Sequence, residues 1–391
     1  MRVQVSGERE ETAVYDALAR AYEKDNPDVE VEVVKVADKD DHLAKLTTSF
    51  AAGNPPDVFL VNFREYSQFV TRGAVEPIDP HLESMGISKE RYYKPPIEAF
   101  TYDGRLQCMP QNISSLVVYY NEELFRRSGL RRPRPGWTWE DFRETAITLT
   151  RGDVRGLGIE PNIIRIAPFV WSNGGDIVDD LESPSGFTLD EPAARRALEF
   201  IVGLVRDAEV VPTETEVAAQ DLETRFVNGK LGMLLSSRRE TPVLREVLGL
   251  EWDVAPLPVA KEPAGILHSD AYCVARGTEQ LDEALDLVAF ATGEEGQTIT
   301  ALSGRTVPSL ESVSRSAAFL DPSQPPRHPE VFLDGIDSIR RTPVIPTWPE
   351  IEDQSEEILT RAYYEPGYTI EDAIEELDAQ TTALFEEAAR P

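Results

Sequence analysis

The sequence predicts an α/β protein of two lobes, and three observations carry that expectation. At 391 residues the chain exceeds what one hydrophobic core usually serves. Its first hundred residues alternate strand and helix signals, the order that builds a mostly parallel sheet with helices on both faces. Proline-marked junctions near Pro110 and near 255–258 (APLP) each interrupt one pattern and are followed by a fresh strand run.

Taken in order, Arg2 to Ser6 alternates like a strand, 29–36 (VEVEVVKV) is a β-branched run, and 57–61 (DVFLV) is a short apolar one. Between them Val14, Leu18, Ala21 and Tyr22 share one helical face, and Leu43, Leu46 and Phe50 share another. Strand character returns at 114–120 (SSLVVYY). Thr138 and Asp190 stand ahead of apolar-periodic segments as capping residues, so the second lobe is expected to be more helical. The run 271–275 (AYCVA) reads as a strand, 281–292 and 296–302 as helices, and 322–349 as a proline-dense loop. Thr369 caps a final helix through Phe385. The expected division is therefore 1–110 with 267–315 for lobe 1 and 111–266 with 316–391 for lobe 2.

Composition narrows the function classes. Charged residues make up 28% and hydrophobic residues 41%, the balance of a globular protein. With 39 basic against 70 acidic residues the formal charge is -31, which repels nucleic acid and anionic lipid surfaces. Cys108 and Cys273 form no metal or redox motif. They are expected as two buried free thiols, with a disulfide between them as the alternative.

A search for chemistry finds little. His42, His81, His268 and His328 stand far apart, no cysteine or histidine pair has zinc spacing, and neither a cofactor nor a metal site is expected. Nucleophile-elbow, Walker and dinucleotide patterns are missing, and the Gly156-Leu157-Gly158 run lacks the third glycine. Paired carboxylates such as Asp179-Asp180 and Glu356-Glu357 keep a glycan-acting enzyme open as a rival, although in so acidic a chain they read as solvated faces.

The segments 22–36 (YEKDNPDVEVEVVKV) and 43–60 (LAKLTTSFAAGNPPDVFL) resemble the family of extracellular solute-binding proteins that includes the maltose-binding protein. So do 102–110 (YDGRLQCMP), 117–125 (VVYYNEELF), 136–142 (GWTWEDF), 226–235 (FVNGKLGMLL), 252–258 (WDVAPLP) and 302–308 (LSGRTVP). Each is weak alone; their order spans nearly the whole chain. The resemblance implies a type II, maltose-binding-protein-like fold, two lobes joined by hinge crossings, and a ligand taken into the cleft without chemical change. It also implies docking onto the permease of an ABC importer, and an exported protein, periplasmic or a cell-surface lipoprotein, whose signal segment is absent from this sequence. A monomer is expected. A sensory receptor that reports closure to a membrane kinase is the alternative to transport.

Ligands of open α/β sheets sit outside the carboxyl ends of strands, which selects candidates. Asn62, Arg64 and Tyr66 follow the strand at 57–61; Gln111 and Asn112 stand at the first crossing; Ser237 and Arg238 follow the strand at 231–235. His268 and Asp270 precede the returning strand, and Arg305 lies near the end of lobe 1. Sugars pair hydroxyls with planar polar groups and CH faces with aromatic rings. The run 169–176 (FVWSNGGD) thus offers Trp171 for stacking and Asn173, Gly174 and Gly175 for hydroxyls, and a matching tryptophan-to-glycine loop lines the cleft in the family. Trp348 between two prolines is expected on an exposed loop as a second stacking face, whereas Trp137, Trp139 and Trp252 read as structural. These residues suit an oligosaccharide. The arginines leave a glycerophosphodiester or an acidic sugar as the alternative.

Overall fold

The computed structural model describes residues 1–7 and 9–389. The chain forms two compact units. Unit 1 is Met1–Ser114 with Leu267–Leu320, and unit 2 is Ser115–Ile266 with the chain from Asp321 onward.

The unit 1 sheet runs in the order Glu32–Val36, Arg2–Ser6, Val58–Asn62, Asp270–Ala275, Val75–Glu76, with Met109–Pro110 also pairing on Asp270–Ala275. Arg2–Ser6 is parallel to both of its neighbours. The strand that arrives late in sequence, Asp270–Ala275, is antiparallel to Val58–Asn62 in a register that sets Asp270 opposite Asn62. In the helix Arg9–Asp25 the buried residues Thr12, Tyr15, Leu18, Ala19 and Tyr22 recur at the three-and-four spacing of one face; Val14 and Ala21 lie at its half-buried margin.

The next helix, Lys39–Ala51, is capped by Asp38 and buries His42 and Leu46, while Leu43 and Phe50 are only half-buried. His42 replaces an apolar core residue at little cost because both ring nitrogens are used. Nε2 donates to the Leu60 carbonyl at 2.9 Å and Nδ1 accepts from Gln4 Nε2 at 3.2 Å. Burial pushes its pKa down, which keeps this neutral tautomer in place.

The two cysteines are not free thiols. Cys108 and Cys273 are joined in a disulfide with Cα atoms 4.5 Å apart. Sheet pairing is the reason, since Tyr272 lies opposite Met109 and Ala271 opposite Pro110, so the neighbouring cysteines face each other across the same ladder.

Unit 2 is built on the sheet Trp252–Ala255, Val117–Asn121, Leu231–Ser236, Arg155–Gly158. The last two strands are parallel and the other pairings antiparallel. Helix Trp139–Leu149 opens on a reciprocal Thr138–Asp141 capping box and lies so close to the edge strand that a Cβ on Gly156 would fall 1.9 Å from the Ala146 carbonyl oxygen. Thr369 and Asp372 form a similar box at the start of the helix Ile370–Ala388. The expected cap at Asp190 is not made. Helix Pro192–Arg206 begins after Glu191 with no side-chain cap, because Pro192 supplies a pre-set φ and has no N–H to satisfy.

The stretch read as a loop to residue 349 contains short elements, Val331–Asp334, Ile336–Ser338 and Ile339–Arg340, and ends in the helix Trp348–Tyr364. Trp348 is fully buried in the unit 2 core, edge-on to Phe187 at 6.3 Å, with its Nε1–H donated to Glu352. Proline in the first turn of a helix is well tolerated. Pro349 therefore marks a helix start, and the expectation of an exposed Trp348 loop is overturned.

Candidate ligand site

In unit 1 the carboxyl ends of the parallel strands adjoin the amino end of the antiparallel Asp270–Ala275 strand, and this meeting gathers several predicted residues. Asp270 is the hub. Its Oδ1 accepts from Asn62 Nδ2 at 3.0 Å and its Oδ2 from Asn112 Nδ2 at 3.2 Å, while its backbone N–H donates to Asn112 Oδ1 at 2.7 Å. Asn62 has a second task. As N-cap of the helix Phe63–Val70 its Oδ1 accepts from Arg64 N and also from Arg64 Nε at 3.2 Å. The guanidinium is thus tethered beside the cluster and is half-exposed. His268 joins the same edge through paired backbone bonds with Ser114, and Ser269 Oγ donates to the Asn112 carbonyl.

Two predicted residues of this unit turn inward. Gln111 is buried, with Nε2 donating to Tyr15 Oη and Oε1 accepting from Tyr272 Oη at 2.7 Å, so its amide holds the interior together. Tyr66 is fully buried against Phe100, ring centroids 5.1 Å apart, and is a core residue of its helix. Arg305 stands half-exposed on the turn after helix Glu294–Leu302.

In unit 2 the aromatic expectations fail. Phe169 to Ser172 belong to the helix Ile163–Ser172, which is capped by Asn162 and carries Pro168 inside it. Trp171 is therefore buried, and the Arg340 guanidinium covers its ring at 4.9 Å. The amides of Gly174 and Gly175 close the helix on the carbonyls of Trp171 and Val170, with Gly174 at φ +74°. Asn173 donates to the Ala193 carbonyl at 2.7 Å, and its own carbonyl accepts from Lys261 Nζ. The group is a helix terminus with its donors already used.

Ser237 and Arg238 follow the strand Leu231–Ser236 as expected, but both are buried. Arg238 points inward over the Phe332 ring at 4.8 Å, and burial lowers its pKa to about 9. The outward guanidinium is that of Arg239, paired with Glu240 at 2.9 Å; Ser236 Oγ donates to the same carboxylate at 2.7 Å. The parallel neighbour Arg155–Gly158 ends beside it and is followed by Glu160, which pairs with Arg165 at 2.7 Å.

Two more carboxyls complete this patch. Burial, then the charge and hydrogen bond of Glu240, pushes Glu223 up to about 7; burial, then Glu160 and Asp353, raises Glu356. Sequence reasoning did not single out Glu160, Glu223 or Glu240, and it read Glu356 only as part of a solvated carboxylate pair. Glu160 follows a strand and so had a usable signal. Glu223 and Glu356 sit on helices and are indistinguishable by pattern among 70 acidic residues. Among the described residues no group of His, Cys, Asp and Glu could hold a metal ion.

Residues 17–326 match the model of the bacterial extracellular solute-binding protein family. The chain belongs to this family. A binding protein of Brucella abortus (strain 2308) is 24% identical to this solute-binding protein over 375 residues, 93% of this chain and 89% of the relative. Among solved structures an ABC substrate-binding protein of Listeria monocytogenes in complex with cycloalternan is similar with a TM-score of 0.87 at 22% identity, over 99% of this chain and 98% of that one. UgpB of Mycobacterium tuberculosis in complex with glycerophosphocholine is similar with a TM-score of 0.84 at 17% identity, over 99% and 98% of the two chains. The solute-binding protein therefore has the two-domain, maltose-binding-protein-like fold that its motifs imply. No helix among its described residues is long and apolar enough to cross a membrane.

Proposed function

We propose that this solute-binding protein is the receptor of an ABC importer and takes a carbohydrate, an oligosaccharide in preference to a monosaccharide, which it delivers unchanged to the permease. The observation that carries the reading is the Asp270 cluster. A carboxylate held at both oxygens by Asn62 and Asn112, with the Arg64 guanidinium tethered alongside, is the kind of planar polar surface that hydroxyl groups engage. The similar Listeria protein, in complex with cycloalternan, supports the same ligand class. Capture by closure of the two units on the ligand belongs to the proposal, because contacts made only in the closed state shift the population towards it.

A glycerophosphodiester is the second reading, favoured by Arg64 and by the similar UgpB protein in complex with glycerophosphocholine. The unit 2 patch counts against it, since Arg165 and Arg239 are already paired with Glu160 and Glu240 there.

Thermal shift and calorimetry with neutral oligosaccharides, sugar acids and glycerophosphocholine separate the two, because a ligand that binds only the folded state raises its midpoint. The expected result is a saturable shift with a neutral oligosaccharide and none with glycerophosphocholine. A shift with glycerophosphocholine alone overturns the carbohydrate reading. Small-angle scattering with the bound sugar reads closure as a fall in radius of gyration.

A further inference from the structure

Unit 2 contains a cavity of about 450 Å³ that shares no residue with the strand-end patch. Its lining is mostly apolar and includes Leu116, Val117, Leu257 and Phe332. The wall is pre-formed, because Ser115 Oγ accepts the Ile266 N–H at 2.9 Å and stands 2.6 Å from where a Cβ on Gly265 would be. A volume of this size suits a small organic ligand rather than water alone.

The rim of the same cavity is acidic. Glu262, Asp334 and Asp337 line it, and no lysine, arginine or histidine does. Among the described residues none of these three carboxylates has an ion pair. The basic groups close to them in sequence are engaged elsewhere: Lys261 Nζ donates to the Asn173 carbonyl, and Arg340 pairs with Asp176 while covering Trp171. The Asp334 carboxyl is itself raised by desolvation and by Glu330, so a cation placed there would relieve a disfavoured charge.

We propose that this cavity is a second ligand site, for a small amphiphilic cation whose apolar body packs against Leu257 and Phe332 and whose ammonium meets Asp334 and Asp337. An apolar pocket with a few convergent polar groups fixes a ligand's orientation in this way, and the acidic rim supplies the charge complementarity that selects it. The site is independent of the carbohydrate reading, since it uses none of the residues on which that reading rests.

The experiment titrates 4-phenylbutylamine, protonated at neutral pH, and 4-phenylbutan-1-ol, its neutral counterpart with the same apolar body, into the full chain by calorimetry. The amine is expected to bind about tenfold more tightly than the alcohol. In the double variant Asp334→Asn, Asp337→Asn that preference disappears while the alcohol's affinity is unchanged, and Leu257→Trp, which fills the cavity, weakens both. Nuclear Overhauser contacts between the probe's ring and the Leu257 methyls locate the site in the wild-type protein, so the test survives a variant that does not fold. Equal affinity of amine and alcohol, no saturable binding of either, contacts elsewhere on the chain, or a charge preference that persists in the folded double variant would each overturn the proposal.

Discussion

Asn112 and Asp270 are paired twice: the Asn112 side chain donates to the carboxylate at 3.2 Å and accepts the Asp270 backbone N–H at 2.7 Å. Asn112 is buried and Asp270 half-buried, so the pairing has a structural value beyond any ligand contact. Asn112→Ala leaves a carboxylate and an amide without these partners and is expected to lower stability by about 1–3 kcal/mol. Urea unfolding measures it, and a change below 0.5 kcal/mol would show that solvent takes over the lost bonds.

Trp348→Ala is expected to act on stability. The side chain is fully buried, and removing an indole from a packed core costs about 3–5 kcal/mol. Because the ring is enclosed, sugar affinity of the protein that remains folded should change less than threefold. A large affinity loss at unchanged unfolding midpoint would return Trp348 to the ligand site.

Glu223 makes a pH prediction whose sign follows from its raised pKa. The folded state holds its proton up to about 7, whereas the unfolded chain releases it near the ordinary glutamate value of about 4.3. Between these values the folded state binds more protons. This contribution to stability is full at the acid end and is lost as pH rises through the folded pKa. Glu223→Gln should flatten the fall in stability on going from pH 5.5 to 8; an unchanged slope in paired denaturation curves would place the titration elsewhere.

The Cys108–Cys273 bridge joins two segments of unit 1 across a sequence separation of 165, and the Ser115–Ile266 segment of unit 2 lies inside the loop it closes. Crosslinks of this kind contribute about 2–4 kcal/mol, chiefly by restricting the unfolded chain. Replacing both cysteines with serine is expected to lower the guanidinium midpoint of unit 1 while leaving that of unit 2 unchanged. Equal shifts in both transitions would mean that the two units unfold together.

How far the candidate site could be read in advance depended on which kind of signal a residue carried. Asn62 and Arg64 were legible because a strand end is local, set by an apolar run followed by a polar break. Asp270 was legible as a residue beside a strand, but its role was not. Only the antiparallel register, which sets Asp270 opposite Asn62, makes it a hub. Trp171 and Trp348 were misread for the converse reason. Proline and glycine neighbours look the same in a helix's first turn, at its end or in a loop, and only packing against Phe187 or beneath Arg340 distinguishes them.

The sequence by itself determined the α/β class, the alternation of strands and helices near the amino terminus, and the family, since these rest on periodicity and on the order of short motifs, which are properties of the chain alone. Tertiary structure decided which side chains face water. It turned Arg238 inward and Arg239 outward, joined Cys108 to Cys273, and set the charge of Glu240 beside Glu223, whose pKa it helps to raise. Burial and charge proximity are set by residues far apart in sequence, and no local pattern records them.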